Sequence, residues 1–189
     1  MKKTIINLVT LLLIHTSIFA TEFNVDKSKK NMVKFISDAP VEDFEGVTDI
    51  IDGYMYWEGD DMMNKSILYF EVDLTTLDTG IGLRNRHMRD NYLETDKFKY
   101  SSYEGKFKSI RKISDSEFEV EVDGTMNIHG ITKTLPVKGK MIKTDNGYRI
   151  LSQFDVKLTD YQIEVPKLMF VKISEVMELH VDFFMKQKK

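Results

Sequence analysis

Apolar and polar residues alternate along several stretches of this chain. The longest alternation covers residues 117–128, where Phe118, Val120, Val122, Met126 and Ile128 are separated mainly by charged or amide side chains. Because successive side chains of a β-strand point to opposite faces, this pattern predicts a strand with one buried face and one face in water. Several carboxylates lie on the second face, so the apolar face is expected to point into the protein.

The same alternation predicts further strands at residues 68–74, 148–158 and 177–185. Turn-forming residues separate them. Residues 145–147 read Asp-Asn-Gly, a hairpin signal because Asn-Gly accepts the positive φ angles of a tight turn, and His129-Gly130 predicts another turn. Strands joined by such short turns pair in antiparallel fashion.

One segment lacks the alternation. In residues 83–97, Leu83, Met88, Tyr92 and Leu93 have the spacing of one helix face, which predicts a helix of two or three turns between strands. About eight strands and one short inserted helix make an all-β fold, compatible with a closed barrel or a sandwich.

The N-terminus has a different character. Lys2 and Lys3 precede a mostly apolar run at residues 5–14, and Ala20 is a suitable cleavage position. A transmembrane anchor would need about 20 apolar residues, and this run is shorter. We therefore expect residues 1–20 to be a signal peptide and residues 21–189 to be the mature domain. The expected location is the periplasm, with no transmembrane segment in the mature form.

Composition and charge exclude several function classes. The chain has 27 basic and 30 acidic residues and no cysteine, so neither nucleic-acid binding nor disulfides or thiolate chemistry are expected. His87, His129 and His180 do not have the spacing of metal ligands, and we expect His129 and His180 to be surface residues. No nucleophile motif is present, so no catalytic residue, metal or cofactor is expected.

The predicted apolar interior leaves two alternatives open. A small eight-stranded barrel either fills its interior with side chains or holds one small ligand. The 11 methionines and 12 phenylalanines of the chain suit an adaptable apolar surface, but they also suit an ordinary packed core.

Several motifs make the chain recognisable. In chain order they are Phe44-Glu45-Gly46, Leu77-Asp78-Thr79-Gly80, Arg84-Asn85-Arg86-His87-Met88-Arg89, Tyr92-Leu93-Glu94-Thr95-Asp96-Lys97-Phe98, Met126-Asn127-Ile128-His129-Gly130-Ile131-Thr132-Lys133 and Asp160-Tyr161-Gln162-Ile163. Together they resemble the YceI-like family of bacterial exported lipid-binding proteins, from about Phe23 to Phe183. Two positions depart from the family pattern: Lys99 replaces a usual proline, and Gln162 replaces a glycine.

The resemblance implies a lipocalin-like extended antiparallel β-barrel whose interior is a long hydrophobic tunnel. It also implies a long-chain ligand: a polyisoprenoid, an isoprenoid quinone or a fatty-acid amide. The protein would then serve in lipid transport, storage or a stress response. The alternatives are a periplasmic interaction protein with a filled barrel and, in third place, an enzyme that modifies lipids or glycans. A homodimer is left open.

Inward-facing strand residues and the helical segment supply the candidate ligand-binding residues. They are Phe35, Leu68, Phe70, Val72, Leu83, Arg84, His87, Met88, Tyr92, Phe98, Val120, Val122, Met126, Phe154, Val156 and Leu179. Arg84 and His87 match the family motif beside apolar residues. They either meet a polar ligand head group or hold the helix onto the barrel, and the sequence does not separate these two roles.

Overall fold

A computed structural model describes residues 20–38, 43–168 and 171–188. The predicted signal peptide therefore lies outside the described residues, apart from Ala20. The strands are β1 (Ala20–Val25), β2 (Met32–Ser37), β3 (Phe44–Thr48), β4 (Ile51–Glu58), β5 (Ile67–Asp73), β6 (Tyr100–Lys112), β7 (Glu117–Ile128), β8 (Ile131–Thr134), β9 (Val137–Thr144), β10 (Gly147–Lys157), β11 (Lys167–Leu168), β12 (Val171–Lys172) and β13 (Val176–Gln187).

Eight strands close into an antiparallel barrel, as the sequence predicted. The order around the barrel is β1, β4, β5, β6, β7, β9, β10 and β13, and β13 returns to pair with β1. The first half of β13 pairs with β2 and its last residues pair with β1, so β2 and β3 continue the wall beyond β1 and β4. The alternative of an open sandwich is therefore wrong.

The alternation in β7 has the predicted consequence. Phe118, Val120 and Val122 are buried, whereas Glu119 and Glu121 lie on the outer face and form ion pairs with basic residues of β6. Each buried side chain of this size stabilises the fold by roughly 1.5–3 kcal/mol, so the row of inward residues is the main force holding the strand in place.

Two predicted turns form, but for different physical reasons. His129 and Gly130 have φ angles of +53° and +73°, so the turn between β7 and β8 uses the left-handed region. Residues 145 and 146 connect β9 to β10 without positive φ, which corrects our expectation for the Asn-Gly pair. Gly147 is needed for space instead, because a Cβ there would lie 2.1 Å from the carbonyl oxygen of Met185.

The inserted helix is also confirmed. It begins as α1 (Gly82–His87) and continues as a π-helical turn over Met88–Tyr92, between β5 and β6. The chain then turns sharply at Glu94, whose φ is +44°.

Two packed clusters occupy the two ends of the barrel. One contains Phe23, Trp57 and Tyr148, whose rings lie 5.1 to 6.5 Å apart, and it packs the end opposite the helix. The other contains Ile128, Tyr161 and further apolar residues beside the helical segment. The space between the clusters is not filled.

Candidate functional site

A cavity of about 730 Å³ runs through the barrel interior. Its wall is almost entirely apolar and draws on nearly every strand of the barrel. The exposed residues on its wall are Ile81, Leu83 and His87, which lie at or next to α1, so the cavity opens at the helix.

Fifteen of the sixteen candidate residues line this cavity. They are Phe35, Leu68, Phe70, Val72, Leu83, Arg84, His87, Met88, Tyr92, Val120, Val122, Met126, Phe154, Val156 and Leu179. The structure thus brings them together around one space, and their contact with a ligand stays a prediction.

Phe98 lies elsewhere. Its ring is 4.5 Å from the ring of His129, and a Cβ added to Gly130 would lie 2.6 Å from it. Phe98 is not part of the cavity wall, so its position gives no support to a ligand contact.

The cavity wall also includes residues that we did not name as candidates. Ile150, Val181 and Phe183 lie on the faces whose alternation the sequence showed, so pattern alone could have found them. Leu74 ends the alternation predicted for residues 68–74 and Leu93 lies on the predicted helix face, so these two also had a signal, whereas the remaining wall residues come from irregular segments without one: Leu77, Ile81, Ile163 and Ile173.

Several wall rings lie over glycines of the neighbouring strand. A Cβ on Gly46 would lie 2.2 Å from Phe35, and one on Gly53 would lie 2.7 Å from Phe70. Gly124 is covered in the same way by Tyr103. A side chain at these glycine positions would collide with the rings, so the glycines leave the rings the space that they occupy beside the wall.

Several polar groups of the wall are already hydrogen-bonded to backbone carbonyls. The Tyr103 hydroxyl donates to the Leu135 carbonyl oxygen at 3.0 Å, and burial raises the pKa of this phenol to about 12. Ser101 donates to Asn127 at 2.9 Å and Ser152 to Lys138 at 2.6 Å. The interior therefore offers a ligand mainly apolar contact.

Asn85 anchors the helix at the cavity mouth. Its buried side-chain oxygen accepts hydrogen bonds from the backbone N–H of Thr79 at 2.8 Å and from the Thr79 hydroxyl at 2.6 Å. Its amide nitrogen donates to Asp78 at 2.7 Å, and this bond and the Gly80 N–H hold the pKa of Asp78 below its ordinary value. Residues of the Asp-Thr-Gly motif and of the Arg-Asn motif are thus hydrogen-bonded to each other.

Arg84 contributes to the same anchor. Its guanidinium donates to the hydroxyl and carbonyl oxygens of Thr79 at 2.9 and 2.6 Å, and it lies 4.6 Å from the Phe44 ring centre. These contacts support the role in which Arg84 holds the helix onto the barrel. A head-group contact stays a prediction for Arg84, which also borders the cavity.

His87 has a different environment. It is exposed, it borders the cavity, and its side chain forms no hydrogen bond or ion pair within the described ranges. Of the two candidate polar residues at the mouth, His87 is therefore the one with both ring nitrogens available to a ligand.

A second contact closes the helical segment onto the barrel. The His129 ring lies 2.9 Å from Glu94 through Nε2 and 3.2 Å from the Tyr161 carbonyl oxygen through Nδ1. Lys97 also donates to Glu94, at 2.5 Å, and the Lys97 and His129 contacts hold the pKa of Glu94 below its ordinary value. Only 12% of the His129 side chain is exposed, so our expectation of a surface residue is wrong: the loop after the helix covers this strand end.

His180 lies on the outer face of β13 and contacts Glu178. Among the described residues, no three His, Asp or Glu side chains are grouped as metal ligands. In the same part of the chain, no helix has the length and hydropathy to cross a membrane.

Comparison with known proteins places this barrel in a family. A family model described as YceI-like domain matches residues 23–185. The UPF0312 protein of Vibrio campbellii is 29% identical over 117 residues, and the match covers 59% of this chain and 59% of that protein. The chain thus matches less than two thirds of the length of this relative.

Two solved structures have the same fold at low sequence identity. BcnA of Burkholderia cenocepacia is 12% identical with a TM-score of 0.68, covering 84% of this chain and 98% of BcnA. A polyisoprenoid binding domain from Saccharophagus degradans, implicated in plant cell wall breakdown, is 17% identical with a TM-score of 0.67, covering 88% of this chain and 98% of that domain. Since the family match spans nearly all of the described barrel, this chain belongs to the YceI-like family.

Proposed function

We propose that this protein is an exported lipid-binding protein that holds one long apolar chain inside its barrel. The observation that carries this proposal is the continuous apolar cavity of about 730 Å³. The cavity is within the range of roughly 300–1,000 Å³ typical of small-molecule sites. The polyisoprenoid binding domain that shares the fold supports the same class of ligand.

The volume of the cavity limits how long the apolar chain of the ligand can be. A cavity of about 150 Å³ accepts one benzene, so the present volume has room for about thirty carbon atoms. Burial of each CH₂ contributes about 0.8 kcal/mol, so a chain of this length binds tightly without any specific polar contact. Polyisoprenoids, isoprenoid quinones and fatty-acid amides all meet this requirement.

The position of polar groups sets the orientation of the ligand. Because the hydroxyls of Ser101, Tyr103 and Ser152 already donate to backbone carbonyls, a polar end group is expected at the open end, beside His87 and Arg84. The apolar chain then extends toward the packed cluster around Trp57.

We propose a binding role rather than an enzymatic one. A lipid- or glycan-modifying enzyme would need reactive side chains inside the cavity, where apolar side chains predominate. The competing proposal of an interaction protein with a filled barrel is disfavoured by the open interior. Transport, storage and stress response all need the same binding step.

Export to the periplasm is a separate proposal that rests on residues 1–20. Cleavage after Ala20 would leave Thr21, the second residue of β1, as the new N-terminus, and Phe23 would keep its pairing with Met55. Mass measurement of the protein recovered from the periplasm tests the cleavage site directly.

Native mass spectrometry of the purified protein, followed by solvent extraction, tests the binding proposal. We expect an adduct of a few hundred daltons that extracts as an isoprenoid or acyl chain. An unloaded mass that persists after incubation with isoprenoid and acyl lipids would contradict the proposal.

A blocking variant locates the ligand. Leu179→Trp places a larger ring in the cavity and is expected to abolish the adduct, whereas Ile113→Trp adds the same ring to an exposed turn and is expected to keep it. Equal loading of both variants would place the ligand outside the barrel.

A further inference from the structure

The cavity opens beside an exposed apolar segment. Ile81 and Leu83 both line the cavity, yet 53% and 59% of their surfaces are exposed. The glycines that flank Ile81 are also open, since a Cβ on Gly80 or Gly82 would meet nothing within 4 Å. Residues 80–83 therefore project from the barrel with their apolar side chains in water.

The helix that follows this segment is strongly basic. Between residues 82 and 92 the chain carries three arginines and His87 against one carboxylate, Asp90, although the protein as a whole has a charge of −3. Arg84 and Arg89 donate to neutral oxygens of Thr79 and Thr75, and Arg86 is exposed. None of the three forms an ion pair with a carboxylate of the described residues, although Asp78 interacts electrostatically with Arg89, so the exposed Arg86 contributes most of the uncompensated positive charge at the mouth. We call residues 80–89 the mouth rim.

A ligand of the proposed kind cannot leave this mouth into water. Exposure of a long chain to water is so unfavourable that escape by this route would be extremely slow. Loading and release therefore need an apolar surface in contact with the opening. The exposed residues at the opening are those of the mouth rim.

We propose that the mouth rim docks onto the surface of an anionic lipid bilayer. Ile81 and Leu83 insert between the lipid head groups, and the arginines interact with anionic head groups on either side. Exposed apolar side chains flanked by basic ones are the combination that binds peripheral proteins to anionic membranes. The purpose of this docking, transfer of the lipid between bilayer and cavity, rests on the proposed function, but the docking itself does not require a bound ligand.

Flotation with vesicles tests the proposal. The probes are vesicles of phosphatidylcholine alone and vesicles containing phosphatidylglycerol. We expect the wild-type protein to float with the anionic vesicles at low salt, to bind neutral vesicles more weakly, and to be released as added salt screens the charges.

Two variants of the mouth rim test its apolar and its basic residues separately. Leu83→Asp places a charge where an apolar side chain would insert, and Arg86→Glu reverses a charge. Each is expected to weaken binding to anionic vesicles about tenfold. The matched controls are Ile113→Asp and Lys143→Glu, which make the same changes at the opposite end of the barrel and are expected to bind like the wild type.

The outcomes separate docking from lipid binding. If the wild type does not float, or if the rim variants float as well as the controls, the docking proposal is wrong. Lipid loading is measured separately by native mass spectrometry with Arg86→Glu, whose side chain is not part of the cavity wall. Loaded protein that does not float contradicts docking alone, and floating protein that never loads contradicts the proposed function alone.

Discussion

At the scale of single residues, Gln162 has a backbone conformation that most side chains avoid. Its φ is +56°, and its N–H donates to the Thr159 carbonyl oxygen at the end of a short 3₁₀ turn. The family resemblance has a glycine at this position. The left-handed conformation explains why a glycine is suited to it.

Gln162→Gly is therefore expected to stabilise the protein. The left-handed conformation costs a non-glycine residue about 1–2 kcal/mol, and the extra freedom of glycine in the unfolded chain offsets about half of that gain. We expect a net increase of roughly 0.5–1 kcal/mol in the free energy of unfolding, measured by urea denaturation. Thr159→Gly, in the same turn at negative φ, serves as control and should destabilise. A lower denaturation midpoint for Gln162→Gly would contradict the argument.

A second residue-scale prediction concerns the glycines beneath the cavity rings. Gly46→Ala places a methyl group in the space occupied by Phe35, so the ring must move toward the cavity. Overpacking of this kind costs about 1–3 kcal/mol, and the displaced ring is also expected to reduce lipid loading. Gly82→Ala meets open space at the start of α1, so it should leave stability unchanged or increase it. Unfolding midpoints and adduct intensity measure both effects.

At the scale of elements, the helical segment is held by two contacts at its two ends. Asn85 and Arg84 anchor its beginning to Thr79, and Glu94 anchors the following loop to His129. Between them, the π-helical turn carries Met88 and Tyr92 over the cavity. Loss of either contact should loosen the mouth without opening the barrel.

The Glu94 contact makes the stability of this loop dependent on pH. Because hydrogen bonds from Lys97 and His129 lower the pKa of Glu94 in the folded state, the contact stabilises fully above the unfolded value of 4.5. That stabilisation is lost as the pH falls through the folded value. Glu94→Gln is expected to reduce the acid dependence of the urea midpoint between pH 6 and pH 3. Asp96→Asn removes a carboxylate from the same loop and should leave that dependence in place, and equal slopes in all three proteins would exclude the contact as its cause.

Periodicity located β5, β7, β10 and β13 because alternation directly reports which side of a wall faces water, whereas the other four barrel strands were not located in this way. The β7 residues and the inserted helix lie where the pattern placed them. The residues that the motif side chains contact could not be predicted from this alternation. Nothing in a linear pattern shows that Asn85 bonds to Thr79, or that His129 is covered by Glu94, because these contacts depend on how the helical segment folds back onto the barrel.

At the scale of the whole molecule, an open interior and a packed end coexist in one barrel. The same inward alternation produces both, so alternation and composition left a filled barrel and a ligand-holding barrel open, and only the family resemblance pointed to a tunnel. The difference lies in the glycines that give the wall rings their space and in the aromatic cluster of Phe23, Trp57 and Tyr148 that packs one end.

Small-to-large substitutions distinguish these two regions. Phe70→Trp enlarges a side chain that borders the cavity and is expected to change the free energy of unfolding by less than about 1 kcal/mol. Val25→Phe enlarges a buried side chain of the packed end and is expected to cost about 1–3 kcal/mol. Thermal unfolding of both variants is the measurement. An equal, large loss in the two would indicate that the interior is filled throughout.

The pairing of β13 has a consequence for the order of assembly. This strand joins β10 on one side and both β1 and β2 on the other, so the wall closes only when residues 176–187 are in place. Until then, β1 and β10 have unpaired edges and the apolar interior is in contact with water. The barrel interior is therefore enclosed only after nearly all of the chain is available, and under the proposed function a lipid would enter only after that step.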